Sequence, residues 1–341
     1  MTTSRTDRSW TVAAVALGAA ALLLLTGCQV PPTAGPGGRV PPRQATQAYA
    51  EGVLAHEAGD TAKAKERLTT ATEIAPELIK ARLLLGDLFR AEGDYRAALD
   101  QYEAVVRLDP FSPGGFYRLG LAYQFLQRFV EARDAYLTAL RLKADDPDSH
   151  MNLGLVYLAL GELPQAMDHA RKATELAPQS PNALTNFGVV LDAVGDLVGA
   201  ERAFLTALEL QGEPPSPATL LNLGQNLLKQ NRGREAQEVL TRLTRVADSS
   251  LARKRLGDAL ALQGLAEQAI EQYERALRID PNYFPALNDA GRVKIQQYRA
   301  GLELDESLRQ AALAYWNRSL QINPNQPQIQ ALTRQWTPAR P

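Results

Sequence analysis

The sequence predicts an all-α fold, a solenoid of about eight stacked helical hairpins, and three observations carry the prediction. Glycines recur at Gly52, Gly86, Gly120, Gly154, Gly188, Gly224, Gly257 and Gly291, with spacings of 34, 34, 34, 34, 36, 33 and 34 residues. Bulky apolar residues stand one before and three after most of these glycines, as in Leu85 and Phe89, Leu119 and Tyr123, and Leu153 and Tyr157. That spacing places both on one face of a helix. Twelve residues after the glycine comes alanine in seven units, at Ala64, Ala98, Ala132, Ala166, Ala200, Ala236 and Ala269. A large residue follows one turn later at Tyr102, Tyr136, Phe204 and Tyr273. A hairpin of this size cannot bury its apolar face alone, so neighbouring units must stack.

Ahead of the repeats stand Arg5 and Arg8, a 16-residue apolar run from Trp10 to Leu25, and the tetrapeptide Leu25-Thr26-Gly27-Cys28. The run is shorter than the roughly 20 residues a spanning helix needs, and small residues precede the cysteine, which is the layout of a signal peptide. The tetrapeptide resembles the lipobox of bacterial lipoprotein precursors. The resemblance implies that residues 1–27 are removed and that Cys28 carries lipid. Several acyl chains there make a firm anchor, where a single chain gives only reversible attachment. An uncleaved membrane helix over residues 11–30 and a buried free thiol are the competing readings. Gln29 is not the aspartate associated with inner-membrane retention, so the resemblance implies an outer-membrane anchor facing the periplasm where the host has an outer membrane.

Residues 28–44 hold Pro31, Pro32, Pro36, Pro41 and Pro42 with Gly35, Gly37 and Gly38, a composition that resists regular structure and reads as a tether. The whole chain has 37 basic and 38 acidic residues, a formal charge of −1. That balance is unsuited to a general polyanion binder, and no nucleic-acid partner is expected. Cys28 is the one cysteine, so the chain has no internal disulfide and no multi-cysteine metal site.

Within each unit, Gly59, Gly93, Gly161, Gly195 and Gly264 fall seven residues after the repeat glycine, where a left-handed residue can end the first helix. Pro76, Pro110, Pro178, Pro281 and Pro324 close the second helix because proline cannot continue it. With stretches such as Asn152-Leu153-Gly154-Leu155-Val156-Tyr157 and Asn222-Leu223-Gly224-Gln225-Asn226-Leu227, residues 45–326 resemble tetratricopeptide repeats. The resemblance implies a right-handed superhelix with an inner binding surface. The 36-residue step contains Gly212-Glu213-Pro214-Pro215, which lengthens a turn. After Gly291 the register fails, then Ala312, Trp316 and Pro324 restore it with nine extra residues. We read 296–306 as an enlarged hairpin connection, with a longer first helix as the rival, and 327–341 as a short cap or a disordered tail.

Helical spacing also separates two stripes on each first helix. Positions −4, −1, 0 and +3 from the glycine form the structural stripe, and −6, −3, −2 and +1 lie nearly opposite, toward the inside of the stack. Arg118, Asn152, Asn186 and Asn222 share position −2 in four consecutive units. An amide both donates and accepts, so spaced asparagines can grip the backbone of an extended peptide. Similar asparagine ladders occur in peptide-binding repeat superhelices, and the ligand role of these residues rests on that resemblance. An ordinary polar surface residue, or one that contacts the next unit, is the competing account. Tyr117, Gln225 and Asp258 map near the same face.

No constellation points to catalysis. His56-Glu57 lacks the second histidine of a zinc protease helix, and His150 and His169 occupy other repeat positions, so neither a metal nor a cofactor is expected. No phosphate-cradling glycine loop ends in Gly-Lys-Ser/Thr. Asn317-Arg318-Ser319 fits a glycosylation acceptor but is incidental under a bacterial address. The sequence therefore reads as a non-catalytic, membrane-tethered scaffold or adaptor that holds a protein segment. The resemblance suggests a setting in envelope, pilus or secretion assembly. A self-associating structural envelope protein is the alternative, and an enzyme is a distant third.

Overall fold

The structure, a computed structural model, describes residues 41–338. The expected signal segment, Cys28 and nearly all of the expected tether lie outside the described residues. Those described form seventeen helices and no strand, in two compact units that meet between Ala81 and Arg82. In the first unit, α1 (Arg43–Glu57) and α2 (Thr61–Ile74) form one hairpin. The unit boundary falls within α3 (Ile79–Ala91), whose partner is α4 (Tyr95–Leu108). The second unit continues with the hairpins α5 (Pro113–Phe125) and α6 (Phe129–Leu142), α7 (Pro147–Ala159) and α8 (Leu163–Leu176), and α9 (Pro181–Val194) and α10 (Leu197–Gln211). It ends with α11 (Pro217–Lys229) and α12 (Gly233–Val246), α13 (Ser250–Leu262) and α14 (Ala266–Ile279), α15 (Phe284–Ala300) and α16 (Glu306–Ile322), and a final α17 (Pro327–Trp336). From α4 onward each second helix also packs on the first helix of the next hairpin, which is the stacking that the repeat length requires.

Local sequence sets the helix boundaries. Ser112, Asp146, Ser180 and Ser216 each accept a hydrogen bond from the backbone N–H three residues on, and each precedes a proline at the first helical position. The side chain satisfies one orphan donor, while proline removes another and fixes φ for the helix. The hairpin turns are made by Gly59, Gly93, Gly161, Gly195 and Gly264, with φ between +77° and +91°. Gln127 and Asn231 hold the same place in their units at φ 58° and 59°, so the turn is kept there without glycine.

The two helices of a hairpin meet on small residues. All seven alanines at position +12 are 0% exposed, as is Ala312 in the eighth unit. The large side chain one turn later lies flat on the repeat glycine. A Cβ on Gly86, Gly120, Gly188 or Gly257 would stand 2.5–2.6 Å from a ring carbon of Tyr102, Tyr136, Phe204 or Tyr273. Leu68 and Leu240 do the same work against Gly52 and Gly224, and Trp316 against Gly291. In the fourth repeat Ala170 stands at this position, and the backbone of α8 itself approaches Gly154.

The structural stripe is wider than the sequence pattern suggests. Position −5 is buried at Ala81, Gly115, Ser149, Ala183, Thr219, Ala252 and Ala286, and +2 at Leu88, Ala122, Val156, Val190, Asn226, Ala259 and Val293. Position −4, assigned to the core by its spacing, is only half-buried at Phe116, His150, Leu184 and Arg253. A first helix in the second unit is covered both by its own second helix and by the neighbouring hairpin, so one hydrophobic stripe cannot describe it.

The irregular steps have simple origins. The 36-residue step adds one residue to α10 and one to the link that follows, and the 33-residue step has a three-residue link before α13. Of the enlarged connection expected at 296–306, residues 296–300 and 306 are helix and 301–305 form the turn. Relative to α13 and α14, four of the nine extra residues lengthen α15, three lengthen α16, and two lengthen the turn between them. Extending two paired helices satisfies their backbone hydrogen bonds, which a long loop would leave to solvent. The added turn carries Tyr298 and Glu306, whose side chains hydrogen-bond at 2.7 Å. Trp336 at the end of α17 packs edge-on against Tyr298, its carbonyl accepting from Arg309 at 2.7 Å. Ile329 of α17 is buried with Ile295, Ala312 and Trp316.

Candidate functional site

The stripe expected to face inward in the second unit falls into occupied and free positions. Arg118 in α5 donates through Nε to both carboxylate oxygens of Asp87 in α3, at 3.0 and 3.1 Å. Asp87 also accepts from the hydroxyl of Tyr102 at 2.7 Å. Asn152 in α7 is 9% exposed and donates to the Asp148 carbonyl at 2.9 Å and the Tyr117 hydroxyl at 3.4 Å. Tyr117 packs against the ring of Tyr136, and burial followed by the charges of Asp148 and Asp146 pushes its pKa up. Arg118, Asn152 and Tyr117 therefore lace one repeat to the next.

Asn186 and Asn222 differ. They are half-buried at the equivalent place in α9 and α11, and neither side chain hydrogen-bonds to another described residue. Each keeps a donor pair and an acceptor for something else. Gln225, one turn beyond Asn222, is likewise half-buried without a side-chain hydrogen bond among the described residues. It lines an open groove with Leu228, Lys229, Arg255, Asp258 and Leu262. Leu121, Leu155 and Val189 stand at position +1 in three consecutive units and are half-buried, giving the same face an apolar floor.

Asp258 belongs to a charged cluster. It accepts from Lys254 at 2.9 Å, Arg255 at 3.3 Å and the Tyr273 hydroxyl at 3.1 Å. Lys254 also reaches Asp289 of α15 at 2.6 Å. Burial raises the Asp258 pKa against the pull of Lys254. Burial disfavours the Lys254 charge, but two carboxylates outweigh it and hold its pKa above the usual value. Shared between two acids on adjacent first helices, Lys254 is committed to the stack.

Several polar contacts on these helices were not read from spacing. Asp87 and Asp258 each lie fifteen residues before the tyrosine they bind. The ring covers the repeat glycine, so its hydroxyl reaches the next residue, and an Asp after the glycine with a Tyr at +16 is a readable signal. Asn226 is fully buried, donates to Asp192 at 2.8 Å and accepts from Gln230 at 2.7 Å. Its polar character at a core position is explained by that network. The histidines at separate repeat positions also come together, with His150 and His169 facing each other across the α7–α8 hairpin. Ser319 of the glycosylation-like triplet is buried and donates to Asn288 at 2.6 Å. Among the described residues no group of three or more His, Cys, Asp or Glu is placed to hold a metal, and no helix is long and apolar enough to cross a membrane.

Residues 117–181 and 221–284 match the tetratricopeptide repeat family, and residues 86–127 match a second family of the same repeat. No curated protein matches the chain in sequence. Among solved structures, a chain of the APC/C hetero-tetramer Cut9–Hcn1 superposes with a TM-score of 0.62 at 15% identity, covering 82% of this chain. This chain spans about half, 53%, of that longer one. A tetratricopeptide repeat protein from Parabacteroides merdae gives a TM-score of 0.59 at 16% identity, covering 70% of this chain and 94% of its own. Pseudomonas aeruginosa pilF gives 0.52 at 21% identity, covering 65% and 97%. At these identities the likeness concerns the fold. Such repeats stack into extended inner surfaces that mediate protein–protein interaction and carry no catalytic apparatus of their own. The matched repeats and the stacked helix pairs together give this chain the tetratricopeptide-repeat solenoid fold.

Proposed function

We propose that this chain is a non-catalytic adaptor of the bacterial cell envelope, anchored by lipid on Cys28, that holds an extended protein segment along the inner face of its second unit. The observation that carries the reading is the pair of equivalent, half-exposed asparagines, Asn186 and Asn222, whose amides find no partner within the described chain. Spaced one repeat apart, they suit the repeating N–H and C=O groups of an extended backbone. Leu121, Leu155 and Val189 supply apolar contacts for alternate side chains, and Gln225 extends the polar row. Asn152 has a different part, since both its donors are used within the protein. The lipobox-like Leu25-Thr26-Gly27-Cys28 supports the anchor and an envelope setting such as pilus or secretion assembly.

The test is quantitative mass spectrometry of proteins captured by the tagged, detergent-solubilised chain from its own host. Asn186→Ala/Asn222→Ala is compared with the unaltered chain, and Cys28→Ser serves as the localisation control. The double variant is expected to keep its helical content and lose its partner. Retention of every captured partner by the double variant would reject the proposed site, and recovery of the chain alone would favour self-association.

A further inference from the structure

The sequence holds three histidines, and two of them meet. His150 lies in α7 and His169 in α8, with their Nδ1 atoms 2.9 Å apart. The ring centroids are 5.1 Å apart, which for that N···N distance leaves both Nδ1 atoms close to the line joining the rings. This is the geometry of a single N–H···N hydrogen bond. A metal ion would need the two lone pairs to converge away from that line, and no third ligand stands by among the described residues.

The protons can be placed. Nε2 of His150 lies 3.0 Å from the carbonyl oxygen of Ala144. A carbonyl only accepts, so Nε2 is protonated, and neutral His150 has a lone pair at Nδ1. The proton between the rings therefore comes from Nδ1 of His169. A first added proton goes to Nε2 of His169 and leaves the shared proton in place, now in a charge-assisted bond. A second added proton has only Nδ1 of His150 left to occupy. It would set two N–H groups and two positive rings against each other.

We propose that the His150–His169 pair is an acid-operated latch on the fourth repeat, closed with up to one added proton and opened by the second. Closed, it ties the first turn of α7 to the middle of α8 and, through Ala144, to the turn that joins α6 and α7. Asn152, which bridges to Tyr117 of the preceding repeat, stands two residues along from His150. Opening the latch loosens that bridge.

The surroundings do not relieve the second charge. Burial and then His150 hold His169 below the usual imidazole range against the pull of Asp168, and Tyr157 stacks on its ring at 5.4 Å. On α8, Arg171 is exposed and Lys172 pairs with Glu175. In the α6–α7 turn Lys143 pairs with Asp146, beside Asp145 and Asp148. On α6, Glu131 pairs with Arg128, Arg133 with Asp134 and Glu162, and Arg141 bonds Thr138. The one charge of α5, Arg118, is on Asp87, and that of α9, Asp192, is held by Asn226 and Lys229. Because the folded pair lowers the affinity of His169 for a proton, its contribution to stability is full above the ordinary imidazole pKa and lost as pH falls below it.

The test joins two measurements on the full chain. Imidazole ¹⁵N spectra at pH 7.5 are expected to show His150 as the Nε2–H tautomer and His169 as the Nδ1–H tautomer. Amide exchange from pH 7.5 to 4.5 is expected to show protection of residues 144–152 falling by up to about tenfold per pH unit below the ordinary imidazole pKa, with α13 and α14 unaffected. In His169→Gln that acid-dependent loss should vanish. Two Nε2–H tautomers in the unaltered chain would overturn the latch, as would undiminished protection at pH 4.5 or a parallel loss in His169→Gln. The spectra decide the matter even if the variant fails to fold.

Discussion

Replacing Gly120 by alanine tests the central packing argument, because one added methyl group meets two opposed effects of known size. Built on the backbone, the new Cβ stands 2.6, 2.7 and 2.9 Å from Cε1, Cδ1 and Cζ of Tyr136. Carbon atoms pack at about 3.5–4.0 Å, so the ring must retreat by about 1 Å. It has little room to do so. Tyr136 is 0% exposed, and its hydroxyl donates to Gln124 at 2.8 Å. Overpacking of this kind costs about 1–3 kcal/mol, and a broken hydrogen bond adds about 1 kcal/mol. Helix propensity favours alanine by only about 1 kcal/mol. The net expectation is a loss of about 1–3 kcal/mol, read as a drop of about 0.5–1.5 M in the urea midpoint for a slope near 2 kcal/mol/M. Gly114→Ala, in the same helix, is the internal control. Its Cβ would meet only Arg118 Nη1, at 3.5 Å, so propensity should prevail and stabilise by about 0.5 kcal/mol. Because repeat arrays can unfold in parts, the midpoints should be accompanied by amide exchange in α5 and α6. A Gly120→Ala chain as stable as the parent, or both variants shifting in the same direction, would refute the ring-on-glycine account.

Two further outcomes follow from local geometry. Gln127→Gly should stabilise the chain by about 1 kcal/mol, because Gln127 holds φ 58° where other units have glycine and a left-handed conformation costs a residue with a Cβ about 1–2 kcal/mol. Asn231→Gly should gain less, and thermal unfolding of both variants checks the order. Asp146→Ala should cost about 1–2 kcal/mol at neutral pH, since Asp146 caps α7 by accepting from Ser149 N–H at 3.0 Å and Ser149 Oγ at 2.8 Å. Burial pushes the Asp146 pKa up, but Lys143 and Ser149 outweigh it and hold the pKa below the usual carboxylate range. The stabilisation is therefore present above the ordinary aspartate pKa and lost as pH falls through the folded value. A difference between parent and variant that persists undiminished at pH 2 would contradict this assignment.

The inner face was partly legible. Spacing placed Arg118, Asn152, Asn186 and Asn222 at equivalent positions, which fall in α5, α7, α9 and α11. It did not reveal that Arg118 is spent on Asp87 and Asn152 on Asp148 and Tyr117, while Asn186 and Asn222 are left without partners. A side chain's commitments depend on what stands one repeat away, and repeat-to-repeat distance is a property of packing. The same limit hid Asn226, whose neighbours Asp192 and Gln230 give a core position a polar occupant. It also hid His150 and His169, nineteen residues apart in sequence and one hydrogen bond apart in space.

The sequence alone determined the hairpin, through the 34-residue recurrence of glycine, the alanine at +12 and the large residue at +16. These are short-range requirements, because two helices joined by a three-residue turn can approach closely only where both present small side chains. Local sequence also set the starts of α5, α7, α9 and α11, where Ser-Pro and Asp-Pro pairs satisfy and pre-set the first turn. The tertiary structure alone decided how wide the buried face of a first helix is in the second unit, since the coverage comes from two hairpins and one of them is 34 residues away. It decided that seven of the nine extra residues after Gly291 become helix and two lengthen the turn, because paired helices satisfy their own backbone and seat Trp336. It decided, too, which polar side chains remain free on the inner face, because hydrogen-bond partners are set by the stacking of repeats.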